Sequence, residues 1–496
     1  MTWTTICPCR SSGNGWGKRL PTRKRIPMTA KRSDLDRLFN PKAIAVIGAS
    51  KKEGNIGRII FERLVPSLRK LYPVHPREPD ILGYRAYPNV AALPDGIDLA
   101  VVATGAAAAV STAEACAIKG IPFLIVVAGG FGETGDQGLQ LEQQLQRLPQ
   151  QFGIRILGPN SLGVFVPAER LDTIFVEHGD KALGRGGGVA FVTQSGSVGV
   201  EALGLASNTG YGMRAFVGLG NKCDLDELDF LDYFSRDPET TCLAFYIENF
   251  VHGRHFLESA RRVAPRKPVI VLKAGRTPAG ARAVASHTGR LAGMDAVVSG
   301  AFRQYGIQRV VDDEELCDAS KCLAMLPPAP GRRIAVLTPA GGFGVMCADY
   351  IEADQRGIKL AMAQLAPRTV RRIREASFPF AACNNPVDLT ASADDRMFGL
   401  SLETLLEDDG VDMVICTAFF APPAISDSLI KEIADRTRRS PKPVITVTQY
   451  GPFTDLYLRR FHDAGVVGFP SISRAVRATR FLVERASILT ALEGRA

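Results

Sequence analysis

The sequence predicts an α/β protein of three parallel-sheet modules, on three observations. From residue 43 onward, short β-branched runs alternate with longer stretches of helical spacing, the pattern of buried parallel strands and their covering helices. That pattern restarts twice. Pro/Gly-rich joints at Val166–Pro167 and across Pro327–Gly331 fall where it restarts. The expected organisation is a basic, disordered tail over residues 1–33, followed by modules over 34–166, 167–328 and 329–496.

In the first module the expected strands are Ala43–Ile47, Leu99–Ala103, Phe123–Val127 and Ile154–Leu157, with helices over Ile56–Leu71 and Ala106–Ile118. A further strand ends at Tyr72-Pro73-Val74-His75-Pro76. The second module offers Gly188–Thr193, Ala215–Val217, Cys242–Ile247 and Val269–Lys273, and the third Ile334–Thr338, Met413–Thr417 and Pro443–Thr448. Each run is short, apolar and uninterrupted, as a strand covered on both faces must be.

Composition narrows the function. Of the 496 residues, 46% are hydrophobic and 22% charged, and no apolar run approaches the roughly 20 residues that cross a bilayer. The net charge of +9 is concentrated: residues 1–33 hold eight Lys and Arg and no acid, which leaves +1 for the remainder. A folded part so nearly neutral lacks the basic face that nucleic acid requires. The tail itself fits either an organellar transit peptide or an extension ahead of a start at Met28; its weak amphipathic periodicity and its Gly and Pro count against the first. The ten cysteines form no CxxC pair and no zinc-like cluster, so buried thiols in a reducing cytoplasm are expected, with only Cys7 and Cys9 close enough to act as a pair.

Two regions carry chemistry. Strand Ala43–Ile47 runs into Gly48-Ala49-Ser50 and then Gly54-Asn55-Ile56-Gly57, a turn that lets the backbone approach a diphosphate at a helix N-terminus. The second strand ends at Pro76 with no Asp or Glu for ribose hydroxyls, which argues against a nicotinamide-dependent oxidoreductase. Glycine loops at 129–135 and 158–163 fall at the same expected sheet edge. In the second module Thr193-Gln194-Ser195-Gly196-Ser197 opens a helix, where hydroxyls and free N–H groups favour an anion. His287 lies among small residues in Ala285-Ser286-His287-Thr288-Gly289, read as a Gly-bounded turn. A neutral imidazole is a competent nucleophile toward phosphoryl groups, and it needs a carboxylate to orient it. Glu248, at the end of an apolar strand, is the candidate. The other five histidines read as structural or surface residues.

Taken in order, Ala45-Val46-Ile47-Gly48-Ala49-Ser50, Gly158-Pro159-Asn160-Ser161-Leu162-Gly163, Thr193-Gln194-Ser195-Gly196, Gly220-Asn221-Lys222, Ser286-His287-Thr288-Gly289 and Asn385-Pro386-Val387-Asp388 resemble the α subunit of ADP-forming (NDP-forming) acyl-CoA synthetases, relatives of succinyl-CoA ligase. The likeness runs from about Leu38 to Ala486. It implies a Rossmann-like CoA-binding domain followed by two flavodoxin-like succinyl-CoA-ligase-type domains. It also implies that His287 is phosphorylated and Glu248 supports it, that Ser195, Gly196 and Ser197 cradle the phosphoryl group, and that Gly48, Ala49, Ser50, Gly54, Gly57 and Pro76 face coenzyme A. Pro339, Asn249-Phe250 and Arg290 depart from the family's pattern.

Family activity also needs an ATP-grasp unit to bind ATP or ADP with Mg2+, and the roughly 110 residues after Asp388 are too few for one. The resemblance therefore implies a separate β-type partner and a hetero-oligomer that is inactive without it. It implies a carboxylic acid or acyl-CoA substrate, with acetate or another small monocarboxylate expected, since no arginine pair suited to a dicarboxylate stands out; a larger or aromatic acid stays open. A non-catalytic CoA- or acyl-CoA-binding regulatory or scaffold protein is the alternative; it would have no need of His287 and Glu248.

Overall fold

The computed structural model describes residues 35–178, 187–209, 211–288, 294–353 and 355–494, and the side chains of 207–209 and 285–288 lie outside that description. The basic tail, with Cys7 and Cys9, and Arg290 also lie outside the described residues. From Leu35 onward the chain is one compact unit.

Three parallel sheets share one strand order. In the first, Lys70–Val74, Ala43–Ile47, Leu99–Val102, Phe123–Val126 and Arg155–Leu157 lie side by side. The second has Met213–Gly218, Val189–Thr193, Cys242–Ile247, Val269–Lys273 and Ile307–Val310; the third has Ala361–Met362, Arg333–Thr338, Met413–Thr417, Val444–Val447 and Val467–Phe469. In each, the first strand lies between the second and a later one, so successive connections leave it on opposite sides. That reversal opens a crevice at the carboxyl ends of the strands, where open α/β sheets bind ligands.

The strands form because their residues are buried on both faces: Ala43–Ile47, Val189–Thr193, Val269–Lys273 and Met413–Thr417 are buried throughout. Two local features depart from the sequence expectations. The helix from Ile56 stops at Leu64 and passes through a short 3-10 turn, Val65–Ser67, because Pro66 removes an N–H donor and Leu68 takes a left-handed φ of 59°. The segment Gly163–Val166 leaves the first sheet. It pairs antiparallel with Met213–Gly218 and, through a hairpin, with Leu171–Asp172, which extends the second sheet.

Shared cores explain why the modules form one unit. One buried cluster runs from Leu38 and Ile44 of the first module to Phe230 and Phe245 of the second. Another joins Phe191 and Phe216 of the second to Ile334 and Phe481 of the third. At the second junction, helices Asp313–Met325 and Ile472–Glu493 are clamped by Arg474, whose guanidinium donates to both carboxylate oxygens of Asp318 at 2.9 and 2.6 Å. No helix among the described residues is long and apolar enough to cross a membrane.

Candidate active site

The second sheet's crevice lies between Val189–Thr193 and Cys242–Ile247. On one side, Thr193 shapes the turn into helix Gly196–Thr209: its hydroxyl donates to Ser195 O (2.7 Å) and accepts from Ser195 N (3.1 Å). The Ser195 and Ser197 hydroxyls are 3.1 Å apart. Gly196 and Ser197 are exposed, so this helix start presents hydroxyls and N–H groups to solvent, a favourable setting for an anion.

On the other side, Glu248 is buried at the strand tip and its backbone is held on both polar groups. Its N–H donates to Gln194 Oε1 at 3.0 Å, and its carbonyl accepts from Lys273 Nζ at 2.7 Å. Burial and the neighbouring Glu248 carboxylate push the Tyr246 phenol up to about 12. Burial and Arg309 hold Lys273 below the usual lysine range, against the pull of Asp295 and Glu248. A second buried ammonium, Lys222, donates to Asn249 O (2.6 Å), Glu227 Oε2 (3.0 Å) and Gln194 Oε1 (3.2 Å).

His287 falls on the last turn of helix Pro278–Thr288, which follows the neighbouring strand Val269–Lys273. The turn expected here from the sequence is helical instead. The helix forms because residues 278–286 are rich in alanine and begin with proline at the first helical position. The His287 side chain lies outside the described residues. The same helix packs against the Gly132–Thr134 turn of the first module.

In the first crevice, between Ala43–Ile47 and Leu99–Val102, Gly48 has φ +93° and a Cβ there would lie 2.6 Å from Ala103 O. At Gly57 a Cβ would meet Gly48 O at 2.3 Å, so the two glycines let the helix start press onto the turn. Ala49 is buried, Ser50 Oγ accepts from Lys52 N (3.1 Å), and Gly54 (φ +73°) borders open space. Pro76 is exposed at the end of the adjacent strand. Thr104, which sequence reasoning missed, places its methyl group beside Gly48, and its buried hydroxyl has no hydrogen-bond partner among the described residues. Lys51 and Lys52 flank the turn. A glycine turn with Lys52 beside it, Lys51 being paired with Asp80 at 2.9 Å, and a buried hydroxyl suit an anionic ligand with polar groups, and coenzyme A is one.

Two of the remaining motifs join the first two modules. Gly220, at φ +60°, brings its backbone so close that a Cβ would lie 2.2 Å from Pro159 O. Ser161 Oγ donates to Gly218 O at 2.6 Å, and Asn221 Nδ2 donates to Glu133 Oε2 (2.6 Å) and Glu142 Oε2 (2.9 Å). Burial works to raise Glu133, but donation from Asn221 and from backbone N–H groups outweighs it and holds that carboxyl below its usual range. Asn385 acts as a sheet residue through its side chain, accepting from Val336 N (2.9 Å) and donating to Ile334 O and Ala363 O. In the third module Thr338 repeats the turn of Thr193: its hydroxyl donates to Ala340 O (2.9 Å) and accepts from Ala340 N (3.0 Å) at the start of helix Gly341–Glu352. Among the described residues no group of three His, Cys, Asp or Glu could hold a metal ion.

Comparison with known proteins agrees with this architecture. Residues 42–167 match the CoA binding domain family, and residues 186–323 the succinyl-CoA ligase like flavodoxin domain. The chain is 34% identical over 454 residues to the α subunit of acetate–CoA ligase (ADP-forming) I of Pyrococcus furiosus, covering 90% of this chain and 96% of that one. It is 35% identical over 448 residues to acetate–CoA ligase (ADP-forming) I of Archaeoglobus fulgidus, where the match takes 90% of this chain but 63% of the relative. A solved structure, the dinucleotide forming acetyl-coenzyme A synthetase 1 of Ca. Korarchaeum cryptofilum in complex with phosphate and ADP, superposes with a TM-score of 0.83 at 34% identity, covering 93% of this chain and 99% of that chain. With its CoA-binding domain, its ligase-type flavodoxin modules and this extent of similarity, the chain belongs to the ADP-forming acyl-CoA synthetases, a family of acid–thiol ligases, as an α subunit.

Proposed function

We propose that this chain is the CoA-binding, phosphohistidine-carrying subunit of an NDP-forming acyl-CoA synthetase, converting acid, CoA and ATP reversibly to acyl-CoA, ADP and phosphate. The observation that carries the reading is the crevice of the second sheet: an exposed helix start with paired serine hydroxyls faces a buried glutamate whose backbone is bonded on both sides.

In the direction of ATP formation, a phosphate oxygen attacks the thioester carbonyl of acyl-CoA. The C–S bond breaks, leaving acyl phosphate and free CoA. A ring nitrogen of His287 then attacks phosphorus, and the carboxylate leaves with the P–O bonding pair. Glu248 accepts a hydrogen bond from the N–H of the other ring nitrogen and so fixes the tautomer that attacks. Ser195, Gly196 and Ser197 hold the phosphoryl oxygens with hydroxyl and N–H donors, positioning and charge stabilisation being most of what phosphoryl transfer requires. His287 finally yields the phosphoryl group to ADP.

Gly48, Ala49, Ser50, Gly54, Gly57 and Pro76, with Thr104, face coenzyme A in this reading. ADP and Mg2+ are bound by an ATP-grasp β-type subunit. Support comes from relative lengths: this chain spans nearly all of one relative named an α subunit but 63% of a longer ligase. The substrate is a small monocarboxylate such as acetate, in keeping with the names of those relatives. The eight described cysteines are free and seven are buried, which suits the reducing cytoplasm we assign to it.

The test is phosphorylation of the purified chain, mixed with its ATP-grasp partner, Mg2+ and γ-labelled ATP. An acid-labile, alkali-stable label that disappears in His287→Ala is expected. A folded, CoA-binding chain that takes no label, beside a partner shown to be active, would replace this reading with the non-catalytic CoA-binding protein.

A further inference from the structure

We propose that Gln194 is a positioning residue of the phosphoryl-transfer step: its side-chain oxygen ties the helix start that receives the phosphoryl group to the strand end that carries Glu248. The inference rests on the function proposed above and adds a residue to it.

Three donors converge on Gln194 Oε1. They are the N–H of Glu248 at 3.0 Å, the N–H of Asn249 at 3.2 Å and the Lys222 ammonium at 3.2 Å. None of these groups can accept a hydrogen bond, so only an oxygen fits at their centre, and the orientation of the amide follows from its surroundings. The amide nitrogen faces the other way and donates to Asn249 Oδ1 at 3.4 Å.

The main chain of Gln194 is fixed as well. Its N–H donates to Tyr246 O at 3.0 Å. On either side of it, Thr193 and Ser195 form the hydrogen-bonded turn that opens helix Gly196–Thr209. Gln194 therefore spans the crevice at the point where the strand order reverses. Its backbone sets the position of the anion-binding helix start, and its side chain sets the position of the carboxylate across from it.

Lys222 extends the same unit. It holds Asn249 O and pairs with Glu227, whose other carboxylate oxygen accepts from Val251 N at 2.8 Å. Residues 248, 249 and 251 are thus anchored from the Gln194 side of the crevice. A histidine and a phosphoryl group that must meet within a few tenths of an ångström need such a frame, since a displacement of about 1 Å costs on the order of 100-fold in rate. Gln194 touches neither the phosphoryl group nor the imidazole in this account; it acts by holding the groups that do.

The test uses the full chain with its ATP-grasp partner, Mg2+ and γ-labelled ATP, and measures single-turnover labelling of His287. Gln194→Met removes the acceptor, and its labelling rate constant at saturating ATP is expected to fall about 100-fold. The apparent KM for ATP and the Kd for CoA should stay within about twofold, because neither binding surface is touched. Gln194→Glu keeps an oxygen in place and is expected to label within about tenfold of the parent. Labelling of Gln194→Met within about threefold of the parent would overturn the proposal, as would a Gln194→Glu rate as slow as that of Gln194→Met. If Gln194→Met does not fold, Gln194→Asn decides: its amide falls one methylene short of the three donors, so slow labelling supports the proposal and parental labelling overturns it. An unlabelled parent chain would sink the phosphohistidine reading and this inference with it, whereas a labelled parent with unaffected variants would sink this inference alone.

Discussion

Replacing Lys222 by methionine tests the frame beneath the site through stability rather than catalysis. Both side chains of the Lys222–Glu227 pair are fully buried, 3.0 Å apart. Methionine matches the length and apolar stem of lysine and has a Cβ, so the left-handed backbone of residue 222, φ +61°, is strained equally before and after. What changes is the charge. Glu227 remains an enclosed carboxylate with the Val251 N–H on one oxygen, and Asn249 O and Gln194 Oε1 each lose a donor.

Breaking a buried pair from one side costs about 3–5 kcal/mol. In a compact unit that runs from Leu35 to Ala496, at about 2.1 cal/mol/K of unfolding entropy per residue, each kcal/mol moves Tm by about 1 °C, so the transition should fall by about 3–5 °C. Differential scanning calorimetry reads this directly, and hydrogen exchange at residues 248–251 locates it. The double variant Lys222→Met/Glu227→Gln should recover part of the loss, since its buried carboxylate is gone while an acceptor remains for Val251. A drop below about 2 °C in Lys222→Met, or no recovery in the double variant, would refute the reasoning.

Gly57→Ala should weaken CoA binding at least tenfold by isothermal titration, because a methyl group 2.3 Å from Gly48 O must push the helix off the turn. Asp226 is raised to about 7 by burial and by the adjacent Glu227 and Asp229. A carboxyl raised in the folded state favours folding while protonated, so stability is lost as pH rises through about 7. Asp226→Asn, which keeps a cap acceptor for Leu228 and Asp229, should flatten the fall in Tm between about pH 4 and 7. Arg474→Met strands the buried Asp318 carboxylate at the junction of the second and third modules; a loss of about 3–5 kcal/mol is expected, read as a lower and less cooperative melting transition.

What the sequence made legible was local. Uninterrupted apolar runs gave the strands because parallel strands covered on both faces admit no polar interruption, and a glycine turn after Ala43–Ile47 gave the first crevice because glycine there answers a steric demand that Gly48 and Gly57 both meet. What it hid was non-local. Gly163–Val166 reads as the close of the first module, yet it pairs with Met213–Gly218, about fifty residues later. Gln194 reads as one residue of an anion-binding turn, but its partners lie 28, 54 and 55 positions away, and no spacing announces them. Thr104 carries no motif at all; only its position beside Gly48 and a buried hydroxyl unsatisfied among the described residues mark it.

The repetition of one strand order in three modules raises the question of why chemistry should favour the second crevice. All three have a turn from the first strand into a helix, and the turns at Thr193 and Thr338 have the same hydrogen bonds. At the third helix start, however, a carboxylate already stands close by: a Cβ on Gly341 would lie 2.7 Å from Asp388 Oδ2. A further difference lies across the crevice. After Cys242–Ile247 comes Glu248, with its backbone bonded to Gln194 and Lys273. After Met413–Thr417 comes Ala418, followed by Phe419, whose ring stands 5.5 Å from Phe343 and 5.7 Å from Tyr450. An aromatic wall can exclude water but cannot fix an imidazole tautomer, whereas a buried carboxylate can do so. In the first crevice the corresponding residue after Leu99–Val102 is Ala103, followed by Thr104, with no charge to orient a nucleophile. Of the three crevices, the second joins an exposed helix start to a buried glutamate at the next strand tip, the arrangement that the proposed phosphohistidine role requires.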